Sequence, residues 1–250
     1  MPDIFASALA TDGLMWIAFA SLLAGLVRGF SGFGTAMIYL PIASQFLTSV
    51  EAIVTLTIMD SIGPIPAMPR AVREADWPDL RRLLLALVLC LPLGLWLLLS
   101  VPQDTFRLGV SVVSLLLLGA LILGVRYTGK LSPTKVYGVG AAAGILGGSV
   151  GLPGPPVILF YMASPHRANV IRATTMIFLF SFDVVFMGML GLNGLLSISG
   201  IVLGFVMAIP ISIGVLLGTW LFRPEYERLY RTAAYVIIGV SAVRGLPIWG

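Results

Sequence analysis

A glycine-rich break interrupts an apolar run near the start of the chain and returns half a chain later. The first reads GLVRGFSGFG over residues 25–34 and the second GILGGSVGLPG over residues 144–154. Aligned without a gap, Gly25, Gly29 and Gly32 fall on Gly144, Gly148 and Gly151. Each break lies between stretches too apolar to be surface loops. Irregular backbone at membrane depth leaves N–H and C=O groups unpaired, and it is tolerated only where protein or a water-filled cavity satisfies them. Both breaks are therefore expected to line something.

Only 10% of the residues are charged against 58% hydrophobic, a balance far from that of a soluble domain. Apolar runs of about 20 residues recur from end to end, which is the length that spans a bilayer, and no water-soluble domain of useful size fits between them. The net charge of +4 comes from residues at run ends, so it reads as membrane topology and not as a nucleic-acid footprint. The single Cys90 excludes a disulfide within the chain and any cysteine-based metal cluster. No metal site and no cofactor are expected. Asp3 and Asp12 stand where a signal peptide would carry basic residues, so the first apolar run is expected to stay in the mature protein.

That first run covers residues 14–46, and as one helix it would reach about 50 Å against a hydrocarbon core of roughly 30 Å. The break divides it into two legs, each expected to reach the midplane. A second broken run covers residues 134–163. Ordinary spans are expected at 51–68, 80–101, 106–125, 170–190, 198–222 and 230–246, giving broken run, three spans, broken run, three spans. This is an internal repeat, 1–127 and 128–250, with Pro92 and Pro210 in register. If the broken runs are re-entrant hairpins, every Lys and Arg outside the first break except Arg107 and Arg244 falls on one face, as cytoplasmic positive charge requires. If they cross, the charges divide almost evenly and orient nothing. The fold expected is an all-α polytopic membrane protein with two hairpin repeats. Three crossings per repeat invert the second relative to the first and put both termini on the non-cytoplasmic side.

Glycines at the tips let backbone amides approach a ligand, and a half-helix starting there aims its positive end at the same point. The candidate anion-binding residues are Arg28, Gly29, Phe30, Ser31, Gly32, Phe33 and Gly34 at the first tip and Gly148, Ser149, Gly151, Pro153 and Gly154 at the second. Arg28 stands out because a charge at membrane depth needs an anion or an acidic partner. Gly147 holds the aligned position in the second repeat. Asp60 and Asp183 are the acids well inside the spans, and each is read as a proton carrier or a structural partner of Arg28. A plainer reading of Gly25-x-x-x-Gly29 and Gly140-x-x-x-Gly144 is close helix packing. His166 reads as a surface loop residue.

Gly29-Phe30-Ser31-Gly32 and Gly147-Gly148-Ser149-Val150-Gly151 also have the form of serine-hydrolase motifs, but a serine needs a base within hydrogen-bond reach. The only histidine, His166, is expected on a loop away from either serine. An enzyme is not expected.

At these residues the chain resembles the TauE/SafE family, the sulfite exporter type of membrane permease. The resemblance rests on GFSGFG at 29–34, GGSVGLPGPP at 147–156, the two-repeat plan and the length, and it covers essentially the whole chain. It implies a secondary transporter of the bacterial inner membrane for a sulfur-containing anion such as sulfite, thiosulfate or an organosulfonate. The substrate is expected to bind between the two tips at the midplane, by alternating access and with proton coupling. Expected partners are that anion, the lipid bilayer and a second copy in a homodimer, with no nucleic acid. The rivals are an anion channel and a membrane scaffold subunit without flux.

Overall fold

The structure, a computed structural model, describes residues 9–31, 33–62, 64–65, 68–124, 132–161, 166–221 and 223–248. Among them the regular structure is helical, in eleven α-helices: α1 (Leu14–Ser31), α2 (Thr35–Ala43), α3 (Ser49–Ile62), α4 (Met68–Glu74), α5 (Trp77–Ser100), α6 (Gln103–Ile122), α7 (Pro133–Val150), α8 (Gly154–Tyr161), α9 (Ala168–Leu192), α10 (Ile198–Leu221) and α11 (Glu227–Gly245). Four of these, α5, α6, α9 and α10, are long and apolar enough to cross a bilayer. Their outward faces are apolar too, with Leu89 and Trp96 on α5 and Ile209, Leu216 and Trp220 on α10 exposed, as suits a lipid solvent. The chain is a polytopic membrane protein.

One expected span is shorter than its apolar run. Residues 51–68 were read as one helix, but α3 ends at Ile62, ahead of Pro64, which disfavours helical backbone in the residue before it. At 14 residues α3 is about 21 Å long. The polar stretch 70–82 is itself largely helical, because Asp76 accepts the Asp79 backbone N–H at 3.0 Å and so caps α5.

The helices divide into two compact units, Met1–Ile62 with Pro102–Gly119 and Gly194–Gly250, and Gly63–Val101 with Ala120–Asn193. Each unit therefore combines a broken run with helices from the other half of the sequence.

In the first unit α10 lies along α1. A Cβ on Gly25 would overlap the carbonyl of Ile211, one on Gly29 the carbonyl of Val215, and one on Gly218 the carbonyl of Leu26. Rising numbers meet rising numbers, so the two helices run parallel. Small residues on both sides let the backbones touch, which is how helices associate where lipid removes the hydrophobic drive between them. Glycine packing was the plainer of the two sequence readings for Gly25 and Gly29. The first broken run folds back on itself: the space beside Gly13, before α1, is taken by the ring of Phe46, after α2. Gln103 ties the same end together by donating to the carbonyls of Ser44 and Leu47, each at 2.9 Å, and accepting from the Ser49 backbone N–H.

The second unit repeats this arrangement with α5 along α7. Gly140 meets Leu83, Gly144 meets Leu87, and Gly148 meets Leu91 and Gly94, again in parallel register.

Candidate functional site

At the first break α1 runs through Ser31, three residues beyond Arg28. Gly29 lies against Val215 and Thr219, in the last turns of α10, and Thr219 donates its hydroxyl to the Gly29 carbonyl at 3.3 Å. The tip is therefore level with the carboxyl end of α10 rather than its middle. The sequence reading ended the first leg at Arg28. It missed that Gly29 stays helical because α10 presents Gly218 to it, which extends α1 to about 27 Å.

Gly34 turns the chain into α2 with φ 101°, in the left-handed region where a side chain is strained. Gly34, the N-cap residue, has no side chain with which to cap α2, and the helix's first-turn N–H groups and the positive end of its dipole lie at the break. Phe33 in the break is half-buried. Phe30 packs on Tyr230 with ring centroids 5.5 Å apart. Ser31 is the last residue of α1, its side chain outside the described set, and Gly32 lies outside the described residues.

Arg28, in the last turn of α1, places its Nη1 2.6 Å from the Asp60 Oδ1 on α3, and the Thr35 side chain hydrogen-bonds the same carboxyl. Of the two roles the sequence left open for Arg28, balancing an acid is the one this contact realises. The side chains of Arg28 and Asp60 remain 25% and 23% exposed. The pair gives the break one cation and one acid in contact.

The second break has the same backbone plan and different chemistry. Gly151, at φ 70°, ends α7. The Gly151 N–H returns to the Gly147 carbonyl at 3.0 Å, an αL closure, and the Leu152 N–H to the Leu146 carbonyl at 3.3 Å. Pro153 and Gly154 are buried where α8 begins, and Pro155 and Pro156 suit a first turn that needs no donors. Ser149 spends its hydroxyl on the Ile145 carbonyl four residues back, at 2.7 Å. A Cβ on Gly147, the position aligned with Arg28, would meet the ring of Phe182 at 2.5 Å. Where the first unit has an ion pair, the second has an aromatic ring on a glycine. Asp183, the next residue after Phe182, is half-buried on α9.

Sequence reasoning missed a second polar cluster, in the second unit. His166 Nε2 lies 3.4 Å from the Asp76 Oδ2, and Asp79 is beside them. His166 also stacks on Tyr161, with centroids 6.2 Å apart, so it is half-buried rather than a free loop residue. The sequence carries a local sign for Asp76, whose spacing to Asp79 is that of a helix cap, and no sign that His166 packs against it.

A model of the family described as sulfite exporter TauE/SafE matches residues 17–245 of the chain. No curated protein and no solved structure matches it.

Proposed function

The chain belongs to the sulfite exporter TauE/SafE family, and from that premise we propose that it is a secondary carrier, not an enzyme, for one small sulfur-containing anion, a sulfonate or sulfite. The observation that supports an anion site in this chain is the ion pair of Arg28 and Asp60 beside the uncapped start of α2. A sulfur oxyanion presents several acceptor oxygens to the guanidinium and to the amides of residues 34–37 at once. Arginine suits that planar, multidentate recognition. Phe30 and Phe33 supply apolar surface for an alkyl or aryl group. In this reading Gly34 shapes the tip, while Gly29 holds it in place. The second tip, Gly148, Ser149, Gly151, Pro153 and Gly154, belongs to the same proposal as the counterpart offered by the second repeat.

The ion pair also supports a coupling scheme. An anion that takes Arg28 leaves Asp60 as an unpaired carboxylate in apolar surroundings, a state that is costly unless the acid takes up a proton. Anion and proton would then be carried together. Asp183 remains the alternative proton carrier. No nucleotide-binding motif occurs in the sequence, so the drive proposed is an ion gradient or the substrate's own. The proposed setting is a bacterial inner membrane with re-entrant hairpins, inverted repeats, termini away from the cytoplasm and a homodimeric assembly.

The test is thermal shift of the purified protein with sulfite, thiosulfate, sulfoacetate, an aromatic sulfonate, a carboxylate and phosphate. Stabilisation follows RT ln(1 + [L]/Kd) for whatever binds the folded state. Selective stabilisation by a sulfur anion, absent in Arg28→Ala, is the expected result. A response to no anion removes the carrier reading in favour of a scaffold.

A further inference from the structure

The cluster at the amino end of α5 has a geometry that the transport reading does not use. It holds one ligand atom each from Asp76, Asp79 and His166, all within 4.8 Å of one another. We propose that these three side chains form a binding site for a divalent transition ion of the zinc type.

The two carboxylates are arranged as metal ligands are. Asp76 spends Oδ1 on the Asp79 backbone N–H, and Asp79 spends Oδ1 on Arg82 Nη1 at 2.7 Å. Each acid is thereby oriented through one oxygen, the pattern by which outer partners fix a ligating group. Asp76 Oδ2 faces His166 Nε2 at 3.4 Å. With zinc–oxygen and zinc–nitrogen bonds of about 2.0–2.2 Å, neighbouring tetrahedral ligands stand roughly 3.4 Å apart. That edge is already formed. The wider ones close by rotation about the Asp terminal torsions, which are broad and inexpensive.

Charge points the same way. Two carboxylates, of Asp76 and Asp79, stand at the cluster against the one guanidinium of Arg82. The Tyr161 side chain is fully buried, and its hydroxyl lies beside the Asp79 and Asp76 carboxylates. Imidazole with carboxylates suits zinc and its neighbours better than magnesium or calcium, which take all-oxygen sets. A bound ion would tether the end of α8, through Tyr161, and the entry to α9, through His166, to the start of α5.

His166 is the chain's only histidine, which makes the test clean. Untagged full-length protein in detergent is stripped with a chelator and titrated with Zn2+, with Mg2+ and Ca2+ as controls. The expected result is one equivalent of Zn2+ bound, with His166 protected from diethylpyrocarbonate in proportion to occupancy. His166→Gln and Asp76→Asn should weaken binding by at least about tenfold, and the asparagine still accepts the Asp79 N–H, so α5 keeps its cap. Wild-type protein that binds no Zn2+, or Zn2+ binding that leaves His166 as reactive as before, overturns the site and returns His166 to a simple ion pair with Asp76. The modification readout needs no variant, so misfolding of a variant leaves the result decisive. Sulfur-anion binding is measured separately, so failure here leaves the carrier reading standing.

Discussion

Arg28 on α1 and Asp60 on α3 are held 2.6 Å apart at the first break, and neither charge has a like substitute at the aligned place in the second unit, where Phe182 fills the space at Gly147. The pair is the one charged feature that distinguishes the two breaks. Removing one partner strands the other. Arg28→Ala and Asp60→Asn should each lower stability by about 3 kcal/mol, the low end for a buried pair because both side chains are partly accessible. The double variant Arg28→Met with Asp60→Leu should recover most of that loss and bind no anion. Chemical unfolding in detergent reads the first, and ligand-induced stabilisation the second. A double variant as unstable as the sum of the singles would show that the two residues act independently.

The same pair governs coupling. Uptake of the bound anion into vesicles should rise with an inward proton gradient in the wild type and lose that dependence in Asp60→Asn. Retained dependence in Asp60→Asn together with its loss in Asp183→Asn would move the proton to α9.

How much of this was legible beforehand follows from what each residue reports about its surroundings. Two breaks were visible because glycine and proline act on the backbone locally, and Gly34 and Gly151 do adopt the left-handed conformation. Apolar runs gave four of the six expected spans, α5, α6, α9 and α10, for the same reason. How far α1 runs past Arg28 was not legible, since it depends on Gly214 and Gly218 of a helix almost two hundred residues away meeting Leu22 and Leu26. His166 does lie in the loop before α9, as a histidine after a proline reads, but nothing nearby in sequence announces that it packs against Asp76. Asp60 was flagged as a partner for Arg28 only because a lone intramembrane charge demands one.

Glycine contacts make the helix pairs brittle to added volume. Gly218→Val must push α1 and α10 apart at the Leu26 carbonyl, an overpacking that should cost about 1–3 kcal/mol or more. Gly144→Val should do the same to α5 and α7 through Leu87. Gly119→Ala is the control, because nothing lies within 4 Å of an added Cβ there, and helix propensity should make it neutral or stabilising by up to about 1 kcal/mol. Melting temperatures of the three proteins, purified side by side, check the order.

Gly34 separates conformation from volume. An added Cβ would meet Ile238 and Val27 at 3.5 Å, ordinary contact distance, so the cost of Gly34→Ala comes from φ 101° alone and should be about 1–2 kcal/mol. Because that strain acts on the residue that starts α2, anion affinity should fall more than stability does. Equal affinity in Gly34→Ala and wild type would remove the tip from the binding site.

The first unit also fixes which loops share an end. Gly13 meets Phe46, Gln103 ties residues 44–49, and Gln45 donates to the Arg244 carbonyl, so these lie together. Asp60, Thr219 and Tyr230 gather instead around residues 28–30 at the tip. Arg223, Arg228 and Arg231 follow α10 at the tip end, while Asp12, Glu51 and Asp104 lie at the other, and cytoplasmic loops collect the positive residues. In a Cys90→Ser background, Thr48→Cys should therefore react with an impermeant maleimide from the periplasmic side. Glu225→Cys should react only once the cytoplasmic side is opened. The reverse pattern would turn the molecule over in the membrane and put the Arg28 tip at the outer face, where an anion would meet it first on the way in.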